Sequence, residues 1–303
     1  MSNYPSYADT LGILQGNGLD TRPVLYNNFT TLVFGTGRPY LIFLGGIPSG
    51  RCLKRQLRRT RTTVDPDNAI EFVKKQLDEN RYVLMILNAK ELSNVLFDRE
   101  WFHDWVIFGY DDAKRVFSAS GYDVDTKNHA FVHKSIEIGY DDFLCALSPK
   151  TVEPELIWIP TDAAPEGLNL RKIKRDVFLF GHNILPLVFN AKVYRAFAWL
   201  LRWKHHKTDA PFDMHQFRVL LEHKTLMRQM MCDLVPKSQA AEQYKIVQSR
   251  TNAMLMTALK YNMTKKNKQK ALDAICATLA WLRKEEPPIF RVFYRELRAH
   301  EKK

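Results

Sequence analysis

The strongest constraint on the fold is a change of hydrophobic period near Pro160. Before it, apolar residues come in short runs separated by Gly, Asp and Asn; after it, they recur at helical spacing over long stretches. The first part reads as α+β. Residues 8–14 start a short helix that breaks at Gly16-Asn17-Gly18, and two strand-like pieces at 31–34 and 40–44 follow. Asp65-Pro-Asp-Asn caps an amphipathic helix from Ala69 to Glu79, and a strand begins at Tyr82. Phe102 to Phe108 and Arg115 to Ser120 form a β-hairpin around Gly109-Tyr-Asp-Asp, which closes on Gly121-Tyr122-Asp123. Another strand runs from Ala130 to Ile138, and Asp141 and Asp142 lead into a helical turn at 143–147. A polar linker spans Pro160 and Pro165. Helices are then expected over 184–204, 213–234, 238–262, 267–284 and 287–300, the first of them buried, since Leu187 to Trp203 is apolar at nearly every turn. The pattern predicts an α+β domain over 1–160 and an all-helical domain over 170–303.

Charge narrows the class of partner. Among 303 residues, Lys and Arg outnumber Asp and Glu by 45 to 33, a net charge of +12. Such a surface suits an acidic partner. No sequence motif for DNA or RNA binding accompanies the charge, so nucleic acid is the less expected partner. The four cysteines, Cys52, Cys145, Cys232 and Cys276, lack metal-ligand spacing and fit a reducing cytoplasm. No run approaches the roughly 18 apolar residues of a membrane span, and residues 1–14 do not read as a signal peptide. Gly45-Gly46 and Gly50 lack the lysine and spacing of a phosphate-binding loop.

Among titratable residues, His103 at the head of the hairpin has the chemistry of a general base. Imidazole titrates near neutrality and can relay a proton from a nucleophile to a leaving group. A third group must orient it, and Ser120 or Asp123 on the return strand could do so. Two nucleophiles are open. Ser6 precedes the first helix, where the helix dipole would favour an anion, and Cys52 is flanked by Arg51, Lys54 and Arg55. Glu222-His223-Lys224 are consecutive on a helix and point in different directions, which suits packing or a pocket wall.

The stretch His103-Asp-Trp-Val-Ile-Phe-Gly-Tyr-Asp-Asp resembles the histidine motif of the butirosin biosynthesis protein H family. Phe217-Arg-Val-Leu-Leu-Glu-His-Lys-Thr-Leu-Met227 is similar to a helix of that family's relatives beside nonribosomal peptide synthetase genes, and the segments Tyr26-Asn-Asn-Phe29 and 69–87 also fit. The resemblance implies a papain-like N-terminal domain. It implies an acyltransferase that takes an acyl or peptidyl group from the phosphopantetheine thioester of an acidic carrier protein and passes it to an amine. No bound cofactor is implied; the phosphopantetheine is a substrate arm. The family's cysteine belongs at the head of the first helix, where this chain has Ser6. Ser6 would then be the nucleophile, with Cys52 as the alternative, and His103 the base, with Ser120 or Asp123 beside it. Asn27, Glu222 and His223 would line the substrate pocket. Arg51, Lys54, Arg55, Arg58, Lys265 and Lys266 are the expected docking cations. The competing readings are a scaffold of the same fold that has lost its chemistry, and a basic nucleic-acid-binding accessory protein.

Overall fold

The computed structural model describes residues 5–34, 41–43, 56–96, 100–125, 130–147, 153–163, 167–184, 190–205 and 208–301, with the side chains of 5–8, 34, 42–43, 124–125, 130–132 and 190 set aside. The protein is mixed α+β, with an antiparallel sheet and a helical C-terminal region. Its contacts divide it into two units. One is residues 1–21 with 48–165; the other is 22–47 with 166–303. The division corrects the expected single cut near 160, because segment 22–47 satisfies its polar groups within the helical unit. Tyr26 donates to Asp233 at 2.5 Å, Thr30 offers its carbonyl to His223 at 3.0 Å, and the Leu41 amide donates to Gln216.

In the first unit, six strands pair in the order β3-β8-β4-β5-β6-β7, all antiparallel. They are β3 (Arg58–Arg61), β4 (Tyr82–Asn88), β5 (Phe102–Asp111), β6 (Val116–Asp125), β7 (Ala130–Gly139) and β8 (Glu155–Trp158). One face carries Val83, Met85, Leu87, Trp105, Ile107, Phe117, Ala119 and Ile138 against α3 (Ala69–Asp78) and α4 (Tyr140–Ala146). The alternation places Val106, Ser120 and Ser135 on the opposite face. There they line a cavity with α1 (Pro5–Gly16).

Two details of the hairpin differ from expectation. Gly109 lies within β5, at a register shift, and the turn is 112–115, fastened by the Lys114 amide donating to Asp111. Gly121 does not end β6. It sits opposite Trp105, whose indole occupies the space a Cβ would need, so the strand runs on to Asp125. Strand β3 also replaces part of the expected basic run, pairing Arg58–Arg61 with β8.

The second unit holds α2 (Arg22–Asn28), the paired strands β1 (Leu32–Phe34) and β2 (Leu41–Phe43), and helices α5 (Leu170–His182), α6 (Val193–His205), α7 (Met214–Leu234), α8 (Gln239–Thr264) and α9 (Lys268–His300). Helix α5 was not expected from the sequence. Conversely, the two helices expected after 267 are one, because α9 runs through Pro287 and Pro288. Each proline removes an N–H and frees a carbonyl one turn earlier. Those carbonyls belong to Arg283 and Lys284, which are exposed, so water can satisfy them. Helix α6 is not buried all round: Trp199 and Trp203 are 63% and 67% exposed.

Candidate functional site

The first unit gathers its polar chemistry where α1 crosses the sheet. Asp9 sits in the second turn of α1, and Arg59 of β3 ties that helix down by donating to Thr10 at 2.7 Å. The Asp9 side chain is 2% exposed. Its Oδ1 lies 3.2 Å from Nε2 of His133 on β7, and Ser120 Oγ of β6 lies 3.4 Å from the same nitrogen. Asp9 Oδ2 has no hydrogen-bond partner among the described residues. Burial raises the Asp9 carboxyl above its usual range; His133 and Arg59 oppose that rise, and Asp104 adds to it. The three groups open into a cavity of about 360 Å³ with Ile13, Val106 and Phe108 as apolar walls. Tyr82 and Ser135 add polar edges, and the Tyr82 hydroxyl accepts from Asn17 at 2.8 Å.

Asp9, His133 and Ser120 have the residue types of a catalytic triad but not its geometry. A relay needs the hydroxyl and the carboxylate on opposite ring nitrogens, so that one fixes the tautomer and the other yields its proton. Here both oxygens meet Nε2. An Nε2–H donating to Asp9 leaves no lone pair for the Ser120 proton. The arrangement makes a buried carboxylate–imidazole pair at the wall of a small apolar cavity. It can hold a donor, above all an ammonium, on the unpartnered Oδ2.

His103 stands near this cluster. Its ring lies 4.4 Å from that of Trp101 and 5.3 Å from that of Tyr122, and the Tyr122 ring lies 5.1 Å from that of His133. His103 Nδ1 lies 3.3 Å from the carbonyl oxygen of Asp104. The expected orienting groups are engaged elsewhere. Ser120 meets His133. Asp123 is buried, accepting from the Leu96 amide at 2.9 Å and pairing with Lys134 at 2.5 Å. Nothing in the residues around Ser120 places it with His133, since the register that sets Ser120 opposite Ser135 is a tertiary fact. Ser6 is the second residue of α1, as expected of a helix start, and its side chain lies outside the described residues. Cys52, Arg51, Lys54 and Arg55 lie outside them altogether.

Asn27, Glu222 and His223 belong to the second unit. Asn27 accepts from the Asn169 amide and donates to the Gly167 carbonyl, both at 2.9 Å, which is a structural tie to the start of α5. His223 is fully buried in α7. Its Nε2 donates to the Thr30 carbonyl, so Nδ1 accepts from Lys224 at 3.1 Å. Burial, then the Lys224 charge, holds the imidazole well below its usual pKa. Lys224 also pairs with Glu286 at 2.7 Å, and Tyr194 and Tyr244 both donate to Glu286. This network replaces the expected pocket wall at His223. Glu222 is half-buried on the same helix.

Asp9 and His133 were not singled out from the sequence. The one available signal was an acidic residue inside an otherwise apolar helix, which is common at helix surfaces. Among the described residues, no cluster of three or more metal-ligating side chains occurs. No helix there is long and apolar enough to cross a membrane. Neither a known family model nor a curated protein matches the chain.

Proposed function

We propose that the first unit is a papain-like, acyltransferase-type site. In this reading it moves an acyl or peptidyl group from the phosphopantetheine thioester of an acidic carrier protein to an amine, in a cytoplasmic biosynthetic pathway. The observation that carries the reading is the run of rings from Trp101 through His103 and Tyr122 to His133, which ends on Asp9 of α1. Asp9 is one helical turn after Ser6, so the head of β5 and the first turns of α1 serve one cluster.

Ser6 is then the nucleophile and His103 the base. An Nδ1–H facing the Asp104 carbonyl leaves the Nε2 lone pair for the hydroxyl proton. Ser6 Oγ adds to the thioester carbonyl, its proton passes to His103, and the pantetheine sulfur leaves with that proton. An ester on Ser6 remains. The acceptor amine attacks it, and the proton returns to Oγ through His103. The apolar cavity holds the amine, with Asp9 Oδ2 as its anchor.

The test uses Ser6→Cys with an acyl thioester of N-acetylcysteamine and a primary amine. A thiol at a helix start reacts faster than a hydroxyl, so amide formation should rise above that of the parent chain. Iodoacetamide should label position 6, and Ser6→Cys/His103→Ala should lose both. A folded Ser6→Cys chain with neither labelling nor turnover would sink the proposal.

A second reading rests on the shared Nε2. A unit that has lost its relay but kept the Asp9 cavity would bind amines without turning them over. Amine binding that Asp9→Asn abolishes, with an inert Ser6→Cys chain, would select it.

A further inference from the structure

Helix α6 displays a surface that neither reading of the first unit uses. Trp199 and Trp203 are 63% and 67% exposed, although large aromatic side chains ordinarily bury most of their area. Their rings are nearly parallel, 6.2 Å apart at an interplanar angle of 11°. Arg195, Trp199, Arg202 and Trp203 recur at i, i+4, i+7 and i+8 and so share one exposed face. Beside Trp199 lies a hollow of about 340 Å³ lined by Lys192, Arg195, Ala196, Trp199 and Arg283. Three of its five lining residues are cations and none is a carboxylate. Among the described residues, Arg195 and Arg283 form no salt bridge.

Each half of this chemistry excludes a simple occupant. A purely apolar partner would bury unpaired guanidinium groups, which is costly. A bare anion would satisfy the cations and leave two indole faces in water. A ligand that is both planar and anionic answers both demands. We propose that this hollow binds a nucleotide unit, with the base stacked on Trp199 and the phosphate held by Arg195, Arg283 and Lys192. Stacking is tolerant of base identity because every base has a π-face. The proposal stands apart from the acyl-transfer reading, since no residue of the first unit takes part.

The experiment follows the indole Nε1–H signals of the full-length protein by NMR, each assigned by a Trp→Phe variant. AMP at low salt should shift the Trp199 and Trp203 signals and leave that of buried Trp105 in place. Ribose 5-phosphate and adenosine should each bind at least tenfold more weakly. Trp199→Ala should weaken AMP binding about tenfold or more, with unchanged thermal unfolding, since the side chain is exposed. Arg195→Gln/Arg283→Gln should weaken it and flatten its salt dependence. An oligoadenylate that binds far more tightly per site than AMP would mark a single strand as the source, and equal affinity would mark a free nucleotide or a nucleotide-containing coenzyme. Equal binding of ribose 5-phosphate and AMP would overturn the proposal. So would shifts caused only by anionic lipid vesicles, an unaffected Trp199→Ala variant, or no shift at all.

Discussion

At the residue scale, two buried carboxylates among the described residues stand in contrast, Asp9 and Glu286. Asp9 lines a cavity, and its buried Oδ2 has no hydrogen-bond partner among the described residues. Glu286, at 0% exposure, accepts from Lys224, Tyr194 and Tyr244. The difference separates a site from a strut. Lys224→Met should destabilise the helical unit by about 3–5 kcal/mol in denaturant unfolding, because it leaves Glu286 charged and buried without its cation. Asp9→Asn removes a buried charge that is only partly compensated, so its stability change should be far smaller, while amine binding in the cavity should fall at least tenfold. A Lys224→Met variant as stable as its parent would show the network to be loosely coupled.

At the element scale, β5 and β6 meet at a close fit between an indole and a glycine. The Trp105 indole lies against Gly121 where a Cβ would stand. Gly121→Ala must displace either that ring or the strand, and overpacking of this kind costs about 1–3 kcal/mol. The cost should appear in urea unfolding of the first unit. Gly109→Ala, whose added carbon would meet Ser118 at an ordinary 3.6 Å, should cost less. The same element shows why the hairpin was legible and its ends were not. Val116–Ala119 alternates by burial, which a sequence displays. Whether Gly121 turns or continues depends on Trp105, sixteen positions earlier along the chain.

At the scale of the whole molecule, two buried groups should give the units opposite responses to acid. The folded pKa of His223 is depressed, so its contribution to stability is present above the unfolded value of 6.5 and is lost as pH falls below it. Lys224, whose ammonium lies 3.1 Å from Nδ1, adds a like charge that opposes protonation of the ring. The loss should approach about 1.4 kcal/mol per pH unit. Thermal unfolding of the helical unit at pH 7.5 and 5.5 should show the drop, and His223→Gln, which keeps a donor for Thr30, should flatten it. Asp9 works the other way: its folded pKa is raised, so its contribution is present below 3.8 and is lost as pH rises through the folded value. Charge acts at this scale too. If an acidic carrier protein docks on the first unit through exposed cations such as Arg58, association should slow several-fold between 0.01 and 0.1 M salt, as the screening length falls from about 30 to about 10 Å. Stopped-flow mixing checks it, and salt-independent association would remove these residues from the interface.

The sequence alone determined the class of most elements: the helix from Ala69, the strand from Tyr82, the hairpin bearing His103, and the long helices from 214 onward. Each carries its own period, and period is a local property. It also located the boundary between sheet-rich and helical regions to within a few residues of Pro165. Only the tertiary structure decided that 22–47 belongs with the helices, because the groups that satisfy Tyr26, Thr30 and Leu41 lie some 175 to 207 positions away in the chain. It likewise decided that Ser120 meets His133, that Asp123 meets Lys134, and that Trp199 and Trp203 face outward. A side chain's hydrogen-bond partner is set by strand register and helix packing, and neither is written in the residues next to it.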